Sequence, residues 1–102
     1  MNVLACTGIP ELDEELKRFF VIQSVAVVDD IVDTVERWVP EAVLLSVYLP
    51  SFRADIVDVC RRLRRLGIRV VVMCGDNPEN AWPFFEIGIH DFIPGEKASL
   101  YE

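Results

Sequence analysis

The chain is poor in positive charge, holds one histidine, has no closely spaced cysteines and lacks any long apolar run. Ten Lys and Arg stand against 17 Asp and Glu, a formal net charge of −7. A surface of that sign repels phosphate backbones, so nucleic acid is not expected as a partner. Cys6, Cys60 and Cys74 are odd in number, show no Cys-x-x-Cys pattern and have only His90 beside them. A structural zinc site lacks its ligands, and no metal or cofactor is expected. Charges or prolines break the apolar stretches well short of the roughly 20 residues that cross a bilayer, so no membrane span is expected. Met1–Cys6 carries no basic leader and acids begin at Glu11, which is unlike a secretory signal and predicts a cytoplasmic protein.

What the chain does have is apolar mass. Of its 102 residues 52% are hydrophobic, and mean hydropathy is +0.30. That predicts one compact domain over residues 1–102, excludes intrinsic disorder, and leaves some apolar surface for a partner. Charge is uneven: the first fifty residues hold nine acids and three basic residues, the remainder eight and seven. There are no internal repeats or low-complexity segments.

Apolar runs of strand length alternate with segments of helical period, the pattern of βα units around a parallel sheet. Met1–Cys6 is the first strand. Pro10 opens a helix with Leu12, Leu16 and Phe19 or Phe20 on one stripe and acids at its positive end. Phe20–Val25 is the second strand, followed by a helix through Val28, Ile31 or Val32, Val35 and Trp38, which Pro40 ends. Glu41–Leu49, nearly uninterrupted, suits a central strand covered on both faces. Ile56, Val59, Cys60, Leu63 and Leu66 mark the clearest amphipathic helix, stopped at Gly67. Ile68–Met73 is the fourth strand. Asn77 and Pro78 open a short helix that Pro83 distorts, and His90–Ile93 is the fifth strand. Gly95–Glu102 is too short for a full last helix, which is expected to be missing or truncated.

Five such units resemble a flavodoxin-like, CheY-like doubly wound sheet of order 2-1-3-4-5. Within that class Ala42-Val43-Leu44-Leu45-Ser46-Val47-Tyr48-Leu49-Pro50 is similar to the third strand of response regulator receiver domains, in which two aliphatics precede the phospho-accepting Asp and Leu-Pro follows. Gly88-Ile89-His90-Asp91-Phe92-Ile93-Pro94 resembles the segment that leads into the family's fifth strand. The likeness covers residues 1 to about 96.

The departures from that pattern carry the functional expectation. Receivers place an acidic pair after the first strand to hold Mg²⁺, because a divalent ion must neutralise the incoming phosphoryl group. Thr7 and Gly8 stand there instead. Ser46 replaces the nucleophilic Asp and has no evident base to activate it. Cys74 replaces the hydroxyl residue that ends the fourth strand, and Gly95 the lysine after the fifth. Phe92 alone keeps the aromatic switch type. The resemblance therefore implies a pseudo-receiver that is not an enzyme and signals without phosphorylation. One alternative is a receiver switched through Ser46 or a crevice ligand. Another follows from atypical receivers at the N-terminus of larger proteins: the chain would be the front domain that localises or dimerises a ParA/MinD-like pilus-assembly ATPase. A flavin or phosphate-binding enzyme on this fold is disfavoured, because Thr7-Gly8-Ile9-Pro10-Glu11 offers one glycine and an acid where a phosphate needs free N–H groups.

Two surfaces are expected to meet partners. In receivers the fourth helix, fifth strand and fifth helix dimerise and pass on the signal, which implies an interaction surface at Trp82, Phe84, Phe85, Phe92 and Ile93 for a protein partner, a homodimer mate or a covalently following output domain. Arg61, Arg62, Arg64 and Arg65 form a basic face suited to an acidic protein surface. Cys6 and Cys74, on strands with a third between them, stand roughly 10 Å apart at about 4.8 Å per strand, too far for a disulfide; all three cysteines are expected as buried thiols.

Overall fold

The computed structural model describes residues 1–94. Five strands, β1 (Asn2–Cys6), β2 (Val21–Ser24), β3 (Ala42–Ser46), β4 (Arg69–Gly75) and β5 (Asp91–Pro94), form one parallel sheet in the order β2-β1-β3-β4-β5. The expected fold class and strand order are those observed. Helices α1 (Pro10–Leu16), α2 (Ile31–Arg37), α3 (Ile56–Arg65) and α4 (Trp82–Glu86) make the crossovers. Short 3-10 turns at Val28–Asp30 and Pro78–Ala81 lead into α2 and α4.

Alternation along the strands divides the apolar residues between two faces. Leu4, Cys6, Val43, Leu45, Val70, Val72 and Cys74 share one core with Ile31 and Val35 of α2, Val59, Cys60 and Leu63 of α3, and Phe84 of α4. Val3, Ala5, Ala42 and Met73 occupy alternate positions and are buried as well. Burial on both faces is why β1, β3 and β4 read as nearly continuous apolar runs. Leu4, Val43, Leu45 and Val72 are wholly inaccessible, each contributing about 1.5–3 kcal/mol by burial.

Helix ends follow the local chemistry. The Asp55 carboxylate caps α3 by accepting from the N–H groups of Val57 at 2.8 Å and Asp58 at 3.3 Å. The helix closes with the Ile68 N–H bonded to the Leu63 carbonyl across Gly67, whose φ of +78° only glycine adopts readily. Asn77 caps as expected, accepting from the Glu79 N–H at 3.0 Å. Pro83 cannot donate to a preceding turn, and the segment breaks into a 3-10 turn and the separate α4, with Pro83 in its first turn.

Three boundaries lie two or more residues from where the sequence pattern puts them. β3 ends at Ser46 rather than Leu49 because the Ser46 hydroxyl and carbonyl accept from the Tyr48 and Leu49 N–H groups, both at 3.1 Å, and turn the chain. β4 continues past Met73 to Gly75, where the ladder shifts register. α1 stops at Leu16, so Phe19 is 71% exposed rather than on the buried stripe. Gly95 and the expectation of a missing or truncated last helix fall outside the described residues.

Candidate functional site

In open parallel sheets the crevice lies at the carboxyl ends of the strands where strand order reverses, here between β1 and β3. Thr7 and Gly8 follow β1, Ser46 ends β3 and Cys74 lies at the end of β4, so the fold brings these four expected pocket positions to one edge. The fifth, Gly95, is outside the described residues.

The polar groups at this edge satisfy one another. Thr7 is buried; its hydroxyl donates to Asp13 Oδ1 at 2.6 Å and accepts from the Ile9 N–H at 3.0 Å. Ser46, 5% exposed, accepts the Tyr48 N–H, and among the described residues no base stands within hydrogen-bond reach of its hydroxyl. The Cys74 sulfur lies 4.0 Å from the Val72 carbonyl. No buried side-chain polar atom among the described residues lacks a partner. Nor do three His, Cys, Asp or Glu side chains among them converge as a metal ligand set.

Tyr48 was not singled out by sequence, yet it dominates the mouth of the crevice. Its ring lies across Gly75: a Cβ at that position would stand 2.6 Å from the phenol oxygen and 2.9 Å from Cζ. Asn80 holds the arrangement, its Nδ2 donating to the Cys74 carbonyl at 3.0 Å and to the Tyr48 hydroxyl at 3.3 Å. Gly75 has φ +70°, so glycine is required there both by conformation and by the ring above it. The available signal was a glycine at the end of β4 opposite an aromatic residue just beyond β3.

The three cysteines are buried, unbonded thiols. Burial pushes the Cys60 thiol up to about 12 and raises Cys74 as well. Cys6 is raised mainly by burial and further by the nearby Asp13 carboxylate. Thiols held protonated in this way are poor nucleophiles and poor metal ligands.

A second fixed element borders the edge. The Asp29 carboxylate accepts from three successive N–H groups, Phe52 and Arg53 at 2.8 Å and Ala54 at 3.1 Å. The Phe52 bond is the main reason its carboxyl lies below the ordinary carboxylate range. This clamp sets the β3–α3 loop and leaves Phe52 80% exposed.

The two expected interaction surfaces are only partly as anticipated. Trp82 is 61% and Phe85 49% exposed. Their rings meet edge to face at 6.2 Å, and Phe85 meets His90 in the same way at 4.9 Å. Phe92 and Ile93 are half-buried. Phe84 does not belong to this surface: it is 3% exposed and packs in the core, because a short helix must turn one of its aromatics toward the sheet. On α3, Arg64 is exposed, and its guanidinium donates to the Ile87 carbonyl just past α4. Arg61 pairs with Asp58 at 2.8 Å. Arg62 and Arg65 are exposed and have no ion-pair partner among the described residues.

No protein-family model and no curated protein matches the sequence. Solved structures do match. The BeF3-activated N-terminal receiver domain of RstA from Klebsiella pneumoniae is 23% identical with a TM-score of 0.76, over 99% of this chain and 92% of that one. A putative response regulator from Chloroflexus aurantiacus is 17% identical with a TM-score of 0.75, over 98% and 91%. RcsB from Salmonella enterica serovar Typhimurium, bound to promoter rprA, is 13% identical with a TM-score of 0.73, over 97% of this chain and 62% of that one. The expectation of no nucleic-acid partner finds no support in these matches, one of which is a regulator bound to a promoter. At these identities the comparison establishes architecture: this chain has the CheY-like fold of response regulator receiver domains.

Proposed function

We propose that this domain is a non-catalytic pseudo-receiver, a cytoplasmic protein-interaction module that works without phosphorylation. The observation that carries the reading is the state of the crevice. Where Mg²⁺ and a reactive carboxylate would be needed, it presents Thr7, Gly8, Ser46 and Cys74, with Thr7 already bonded to Asp13 and Tyr48 laid across Gly75. A neutral serine without a base does not form an acyl phosphate, and a site without clustered carboxylates does not concentrate a divalent cation.

The output surface in this reading is the Trp82–Phe85–His90 edge. Exposed aromatics that already fix one another's rings give a partner large contact area at small entropic cost. The partner is a further domain of the same protein, a separate protein or another copy of the chain. Incubation with acetyl phosphate and Mg²⁺, followed by intact mass, tests the chemical half: the mass is expected to stay unchanged, and gain of one phosphoryl group contradicts the reading. For the surface, partner binding is expected to change Trp82 emission and to weaken at least tenfold in Trp82→Ala. Undiminished binding by that variant contradicts the assignment.

A further inference from the structure

We infer that the outer layer formed by α2 and α3 is a self-complementary face that binds a second copy of this chain about a two-fold axis parallel to the two helices. This face is distinct from the Trp82–Phe85 edge and does not depend on the state of the crevice.

Burial of Ile31 and Val35 turns Asp33 and Glu36 of α2 outward, and burial of Val59, Cys60 and Leu63 does the same for Arg62 and Arg65 of α3. All four are exposed, and none has an ion-pair partner among the described residues. The two helices pack against each other. Each returns from a parallel strand, so they run in the same direction and set an acidic row beside a basic row, roughly 10 Å apart. Rotation by half a turn about an axis lying between them lays the acidic row of one copy on the basic row of its mate, twice over. Asp29 ties the start of α2 to the segment preceding α3, so both rows descend from the same edge of the sheet.

Exposed apolar residues fall where the same rotation uses them. Val39, just past α2, is 69% exposed and Leu66, at the end of α3, is 58% exposed. Superposing α2 on the mate's α3 puts Val39 over Leu66. At the other end Phe52, fixed by the Asp29 clamp between the two helix starts, lies near the axis and faces its own equivalent. A backbone already fixed at this residue reduces the ordering cost of binding. The contact is isologous, so it closes as a dimer and does not propagate. Two short helices bury little area, and the association is expected to be weak, with a dissociation constant of about 10–100 μM.

Sedimentation analysis of the whole chain with a charge exchange tests this. Arg62→Glu/Arg65→Glu makes both helices acidic, and Asp33→Lys/Glu36→Lys makes both basic. Each variant is expected to keep the wild-type circular dichroism and melting temperature, since all four residues are exposed, and to associate at least tenfold more weakly than wild type. An equimolar mixture of the two is expected to dimerise again. Both variants stay net negative, so their reunion requires the local pairing. Phe52→Ala is expected to weaken the wild-type dimer about tenfold, and Trp82→Ala/Phe85→Ala to leave it unchanged. A strict monomer at millimolar concentration, charge variants that dimerise like wild type, a mixture that stays monomeric, or loss of the dimer in the Trp82/Phe85 variant overturns the inference. None of the last three outcomes touches the crevice reading.

Discussion

Replacing Gly75 by alanine probes the closed crevice directly, because two separable costs meet at that residue. Its φ of +70° costs an L-residue about 1–2 kcal/mol. The new methyl would also stand 2.9 Å from Tyr48 Cζ, well inside van der Waals contact, so the ring must leave. Its departure forfeits the 3.3 Å bond from Asn80, worth about 0.5–1.5 kcal/mol. Together these predict a loss of about 2–3 kcal/mol in urea denaturation, with a melting temperature lower by about 10 °C or more. In a Tyr48→Ala background only the backbone strain remains. The double-mutant cycle should therefore show a coupling of about 1 kcal/mol between the two positions. Nuclear magnetic resonance of the Tyr48 ring should show its shifts moving toward solvent values in Gly75→Ala. Equal costs in both backgrounds, with unmoved ring shifts, would refute the claim that Tyr48 is seated on Gly75.

Other perturbations separate core from surface and fix the sign of the pH response. Phe84→Ala should cost about 3–5 kcal/mol in chemical denaturation, whereas Phe85→Ala, about 100° further round the helix and half-exposed, should cost under about 1 kcal/mol while weakening partner binding. Leu45→Ala, in the fully buried centre of β3, should cost about 2–5 kcal/mol. The Asp29 carboxyl titrates below its ordinary range because the Phe52, Arg53 and Ala54 N–H groups favour the charged form. Its contribution is present above the ordinary carboxylate range and is lost as pH falls through the lowered value. Amide exchange at Phe52, Arg53 and Ala54 should accelerate selectively on that acid side, and an Asp29 that titrates normally would contradict the clamp.

Much of the fold was legible because its signals are local and redundant. The β3 and β4 runs are apolar on both faces, Asn77-Pro78 starts a turn by side-chain capping and fixed φ, and Gly67 ends α3 with a left-handed residue. Strand order came from resemblance, since periodicity alone leaves pairing open. The crevice was legible in what Thr7, Gly8 and Ser46 are, but not in what they touch. The Thr7–Asp13 bond joins a loop to the next helix, and the Tyr48–Asn80 contact joins residues on different crossovers; neither leaves a pattern at fixed spacing. Phe84 and Phe85 looked alike in sequence, and only the orientation of a five-residue helix with Pro83 in its first turn decided which one the core received. The Arg64 bond was hidden in the same way: a basic run marks a charged helix face, while a guanidinium reaching a carbonyl on the neighbouring crossover depends on how α3 and α4 pack.

The central claim is that the crevice offers no charged platform for a metal and a phosphoryl group. Amide spectra of the labelled domain, recorded while Mg²⁺ and then beryllofluoride are added, test it most directly. The account predicts that Thr7, Gly8, Ser46, Cys74 and Phe92 stay in place at millimolar Mg²⁺ and do not respond to beryllofluoride. Saturable shifts at Thr7 and Ser46, followed by a concerted change reaching Phe92, would contradict it.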